Sequence, residues 1–101
     1  MPYKHVKIAG TGSYLPERVV TNDELAGKLD TSDEWIFSHT GIRQRRIADD
    51  SQSPVDMAFE ASRKALAEAG ILPEELGMIL ISTCAGDYNY LPSSACLLQN
   101  R

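Results

Sequence analysis

Residues 53–81 read SPVDMAFEASRKALAEAGILPEELGMILI, and this stretch decides the fold class. Ser53 is an N-cap residue type, and Pro54 stands at the first helical position, where its missing N–H is of no consequence. Val55, Ala58, Phe59, Ser62, Ala65, Leu66 and Ala69 recur on one face at helical spacing, and Gly70 follows as a stop. The spacing predicts a helix over 54–69. Its stripe of small residues implies close packing against a sheet. Residues 71–76 suggest a single helical turn. Met78–Ile81 is then apolar on both faces, the mark of a buried parallel strand. A helix feeding such a strand is the α/β pattern.

Outward from this stretch the elements are shorter. Lys4–Ala9 alternates, with Val6 and Ile8 apolar, and reads as a strand. It runs into Gly10-Thr11-Gly12-Ser13, where glycine permits positive φ; the later glycines and the Lys-Ser/Thr of a phosphate-binding loop are missing. Tyr14–Glu17 reads as a turn. Thr21 with Glu24, and Thr31 with Glu34, fit capping boxes that open two short helices. The second carries Trp35 and Ile36 and stops at Gly41, before a short basic strand over 42–47. Pro92 and Ser93 open a last helix, which runs into the final residue, Arg101.

A strand apolar on both faces needs helices on both sides and strands at both edges. The sequence supplies about three strands where a sheet usually has about four to six. The chain is therefore expected to be the opening segment of a larger α/β enzyme, without a complete catalytic apparatus.

Composition narrows the class. Hydrophobic residues at 43% and charged residues at 24% are ordinary for a globular protein, so extended disorder is not expected. A formal net charge of -4 argues against nucleic-acid and anionic-membrane partners. The local cluster Arg43, Arg45 and Arg46 reads as a solvated strand or loop. No signal peptide and no membrane span are visible. Cys84 and Cys96 form no CxxC pair and have no nearby histidine, so a disulfide framework or metal site is not expected, and a reducing cytoplasm is the natural assignment.

No assembled catalytic group is visible. Cys84 follows the Met78–Ile81 strand, where α/β folds place their sites, but a thiolate nucleophile also needs a base or helix N-terminus beside it. Spacing places neither His5 nor His39 there. Cys84 reads as a loop or wall residue and Cys96 as a buried packing residue. Asp49-Asp50 and Glu74-Glu75 read as solvating. Asp30, Asp33 and Glu34 suit a helix start, where the dipole favours negative charge. Trp35 has two readings. An indole on a short helix usually packs into a core. Alternatively it is a stacking surface for a planar ligand such as adenine, with Asp30, Thr31 and Ser32 one turn away to orient it.

Three blocks in order, Gly10-Thr11-Gly12-Ser13-Tyr14-Leu15-Pro16, Asp30-Thr31-Ser32-Asp33-Glu34-Trp35-Ile36 and Thr40-Gly41-Ile42-Arg43, resemble β-ketoacyl-acyl-carrier-protein synthase III. The resemblance continues through Ala69-Gly70-Ile71 and Pro92-Ser93-Ser94-Ala95-Cys96 and covers nearly the whole chain. It implies a thiolase-like fold, layered α-β-α-β-α, of which residues 1–101 are the first part of the N-terminal half. It also implies a homodimeric, cytoplasmic enzyme that condenses an acyl-CoA primer with malonyl-acyl-carrier protein to begin fatty-acid chains. Acyl-CoA is a substrate, and no resident cofactor is implied. The family's catalytic cysteine, histidine and asparagine match no residue here; Cys96 matches a non-catalytic cysteine. What the resemblance does assign is part of a coenzyme A site. Trp35 matches a tryptophan that stacks on adenine, Asp30 and Thr31 match polar neighbours of that base, and the resemblance tips Trp35 toward ligand stacking. His39 stands where the family often has arginine, and a histidine makes the weaker phosphate contact. Leu91 matches a position, often phenylalanine, that crosses the dimer interface towards the partner's acyl pocket; ordinary interface packing is the other reading. The alternatives are a polyketide or quinolone starter enzyme of the same fold, or a non-catalytic half-domain that binds CoA or docks on a partner.

Overall fold

The computed structural model describes residues 4–89 and 91–101. The chain divides into two compact units. One holds the chain up to Tyr14 together with Ser53–Arg101; the other is Leu15–Gln52.

The Leu15–Gln52 unit contains β1 (Arg18–Thr21), α1 (Asn22–Ala26), α2 (Asp33–Thr40) and β2 (Gln44–Ile47). The strands pair antiparallel, Arg18 opposite Ile47 and Thr21 opposite Gln44, and form the sheet found among the described residues. β2 lies within the expected basic strand; β1 was not foreseen. Thr21 caps α1 by accepting from the Glu24 N–H, as expected. The Glu24 carboxylate does not complete a box, because it pairs with Arg18 at 2.9 Å and Lys28 at 3.7 Å. The cap of α2 is one residue later than expected. Ser32, not Thr31, accepts from the Trp35 N–H at 3.1 Å. Gly41 ends α2 in the left-handed region at φ 70, donating its N–H to the Phe37 carbonyl.

The other unit is built on α3 (Pro54–Ala69). Ser53 accepts from Asp56 N–H and donates its own N–H to the Asp56 carboxylate, a full capping box behind Pro54. Gly70, at φ 67, closes the helix. Three-residue helical turn Pro73–Glu75 and α4 (Ser94–Gln99, capped by Ser93) follow where the sequence placed them. The small stripe of α3 does not meet a sheet. It meets the Gly10–Gly12 segment: a Cβ on Gly10 would lie 2.8 Å from Ala69 N, and one on Gly12 2.6 Å from Ala65 N. Those glycines serve close approach, since the positive-φ glycines are Gly41 and Gly70. The spacing fits: two residues of extended chain advance about 6.6 Å, and four of helix about 6 Å. Thr11 donates from both N–H and hydroxyl to Glu68, and Lys64 donates to the Ser13 carbonyl at 2.9 Å.

Two expected strands are absent among the described residues. Residues 4–9 and 78–81 are in no ladder, and Val6, Ile8, Met78 and Leu80 are all exposed. A strand is defined by its partner, and neither segment has one here. Cys96 is exposed, not packed as expected, because it sits on a face of the six-residue α4 that nothing in the unit covers; Cys84 is an exposed loop residue.

Candidate functional site

The Leu15–Gln52 unit is organised around Asn22, which is 1% exposed. Its amide nitrogen donates to the Asp33 carboxylate at 2.8 Å and the Ile42 carbonyl at 2.7 Å. Its amide oxygen accepts from the Arg45 guanidinium at 2.6 Å. Both N–H bonds and the carbonyl of the side chain are therefore used. Arg45 also donates to the Val20 carbonyl, and Arg43 closes the ring by donating to Asp33 at 3.2 Å. Arg43 lies over the Phe37 ring, 3.8 Å from its centroid. Arg46 donates to the Pro16 carbonyl. The basic cluster lies on and beside β2, with Arg43 and Arg46 exposed as the sequence suggested and Arg45 half-buried, and each guanidinium is also tied to a particular partner.

This network fixes the first turn of α2 through Asp33, two residues before Trp35. Trp35 is 56% exposed, so it is not a core residue within this unit. One face of its indole is taken by His39, one turn on: the ring centroids are 4.2 Å apart and the planes 20° from parallel. His39 Nδ1 lies 2.8 Å from the Trp35 carbonyl, so Nδ1–H is the donor there. The Ser38 hydroxyl donates to the same carbonyl at 3.0 Å.

Among the sequence candidates, Trp35 and His39 are in direct contact. Asp30 and Thr31 stand on the approach to the same helix. Asp30 is exposed, while the Thr31 hydroxyl oxygen is buried without a hydrogen-bond partner in the described structure. Leu91 belongs to the other unit and is highly exposed. That unit also has a cleft of about 240 Å³ between the 81–88 loop and the start of α4. Its lining includes Ile81, Thr83, Tyr88 and Ser94, but neither cysteine. Asp87, beside it, accepts from the Val55 N–H and the Ser94 hydroxyl, joining loop, α3 and α4.

Sequence reading missed Asn22. An asparagine following a cap threonine looks like any solvated polar residue, and nothing local marks it as buried. The Trp35–His39 stack did have a signal, the four-residue spacing of two rings on a helix.

Among the described residues no group of three or more His, Cys, Asp or Glu side chains is placed to hold a metal ion, and no helix is long and apolar enough to cross a membrane. No family model matches the chain. Individual relatives do. The chain is 56% identical over 95 residues to β-ketoacyl-[acyl-carrier-protein] synthase III of Xanthomonas oryzae pv. oryzae, covering 94% of this chain and 29% of that protein. Among solved structures, 3-oxoacyl-[acyl-carrier-protein] synthase III from Aquifex aeolicus matches with a TM-score of 0.83 at 48% identity, over 93% of this chain and 30% of the other. The priming β-ketosynthase of the R1128 polyketide pathway matches with a TM-score of 0.84 at 34% identity, over 98% of this chain and 31% of the other. The resemblance read from the sequence is therefore to this group of thiolase-like condensing enzymes, and the chain has the fold of part of them. It spans about 29% of the length of the curated relatives it matches.

Proposed function

We propose that this chain forms the adenine-facing edge of the acyl-CoA site in an acyltransferase of the 3-oxoacyl-acyl-carrier-protein synthase III type. The observation that supports this best is the exposed indole of Trp35, mounted on a helix whose first turn is anchored by the Asn22 network. An exposed tryptophan costs hydrophobic burial, so a rigidly held one suits a flat apolar ligand. The exposed Asp30 carboxylate supplies a polar group for the edge of the base, with Thr31 beside it at the approach to α2. His39 lies at the phosphate side and Leu91 at a homodimer interface towards the partner's acyl pocket.

In this reading the whole enzyme takes an acyl group from acyl-CoA, then condenses it with malonyl-acyl-carrier protein with loss of carbon dioxide, starting a fatty-acid chain in the cytoplasm. This segment binds and orients the CoA end; the nucleophile and the oxyanion-stabilising groups come from residues other than these. Residues 1–101 thus act as an N-terminal segment of the condensing domain. A polyketide starter enzyme is the second reading, favoured by the likeness to the R1128 priming enzyme.

Trp35 is the only tryptophan, which makes the test direct. Coenzyme A titrated into the chain should quench its emission saturably, and Trp35→Ala should abolish the heat of binding seen by calorimetry. No quenching and no heat at millimolar coenzyme A would end this reading.

A further inference from the structure

We propose that His39 is a positioning residue for Trp35, closing one face of the indole and holding its orientation so that a planar base meets the opposite face alone. The ligand part of this inference rests on the reading under Proposed function. The geometry is that of a clamp with both ends on one residue. The imidazole is stacked on the Trp35 ring at 4.2 Å, while its Nδ1–H is bonded to the Trp35 carbonyl at 2.8 Å. The hydrogen bond sets where the imidazole edge lies, and the stack then sets the indole plane against it. Ser38 supports the arrangement, its hydroxyl 3.2 Å from Nδ1 and bonded to the same carbonyl. Without such a contact, an indole more than half exposed would sample several rotamers, and each binding event would have to order it. With it, the ring is ordered beforehand and offers one free face.

The spacing also suits a ring of this kind. Trp35 and His39 are i and i+4 on α2, the spacing at which side chains stand over one another. A flexible cation there could reach past the indole to solvent; a short aromatic with a donor on its edge cannot leave it without breaking its backbone bond.

Time-resolved anisotropy of Trp35 emission, with the near-ultraviolet circular dichroism of the indole, reads this without any ligand. The unaltered chain should show little sub-nanosecond depolarisation beyond that of the helix. His39→Ala should add a fast component and reduce the indole dichroic band, while His39→Phe, which can stack but has no Nδ1–H for the Trp35 carbonyl, should restore both only in part. Far-ultraviolet dichroism should be the same in all three. Coenzyme A affinity should fall about two- to tenfold in His39→Ala, the range expected for one aromatic stack, and recover in part in His39→Phe. A large fast component in the unaltered chain, or an unchanged decay in His39→Ala, would overturn the proposal. The two readings separate cleanly. An ordered indole that binds no coenzyme A retains the clamp and removes the CoA site. Equal coenzyme A affinity in all variants retains the site and removes the positioning role.

Discussion

Asn22 is almost wholly buried, with both N–H bonds and the carbonyl of its side chain engaged, so no other residue type can take its place without leaving a partner stranded. Asn22→Leu is expected to cost roughly 1–3 kcal/mol for each group left unpaired, and Asn22→Asp to set a second carboxylate against Asp33. Urea unfolding of the two variants checks this. Midpoints equal to that of the unaltered chain would mean the network is dispensable. Asp56 gives a second residue-scale prediction. Hydrogen bonding from Arg101, then from Ser53, holds its carboxyl at about 2 against an ordinary 3.8. A carboxyl depressed in the folded state stabilises it above the unfolded value and loses that contribution as pH falls through about 2. Arg101→Ala should therefore lower the urea midpoint at pH 5 and above, with the difference closing towards pH 2. A difference that persists unchanged at pH 2 would assign the effect to packing of Arg101 on Phe59, which it overlies at 5.0 Å.

Among the elements, α3 was legible in full because its signals are local: a cap, a proline at the first turn, a periodic stripe and a glycine stop lie within eighteen consecutive residues. The cap of α2 was misplaced by one residue, since Thr31 and Ser32 are both competent hydroxyls and only the backbone decides between them. β1 was missed because four residues, two of them polar, carry almost no periodicity of their own. What α3 packs against was also not legible. Its alanines suggested a sheet, whereas they admit the backbone of Gly10 and Gly12. From the glycine side this predicts a strong dependence on size. Gly12→Val would drive a branched side chain into Ala65 and the α3 backbone, at a cost of about 1–3 kcal/mol or more. Gly77→Val, with open space around its Cβ position, is the matched control. Equal thermal stability of the two variants would show that the segment does not sit on α3 in solution.

At the scale of the whole molecule the balance of burial is unusual for 101 residues. Among the described residues, the buried apolar side chains are Pro16, Val20 and Val55, whereas Val6, Ile8, Met78 and Leu80 are 92%, 85%, 75% and 86% exposed. The alternation of segment 4–9 and the apolar run 78–81 predict strands, and their apolar residues remain informative although no ladder forms. They identify surface that water disfavours and that has unpaired backbone beside it. The relatives are about three times longer, which is consistent with such surface being covered in a longer chain. For the chain of 101 residues by itself, the physical consequence is self-association. Sedimentation velocity should show a weight-average size that rises with concentration. Ile8→Lys with Leu80→Lys should suppress the rise, by charging both segments at positions outside the Leu15–Gln52 unit. A chain that stays monomeric at high concentration, with no change on adding the two lysines, would mean the two segments cover themselves in solution. Because neither substitution lies in the Leu15–Gln52 unit, the Trp35 anisotropy of the double variant should match that of the unaltered chain at low concentration. That comparison separates the association of the molecule from the order of its candidate binding face.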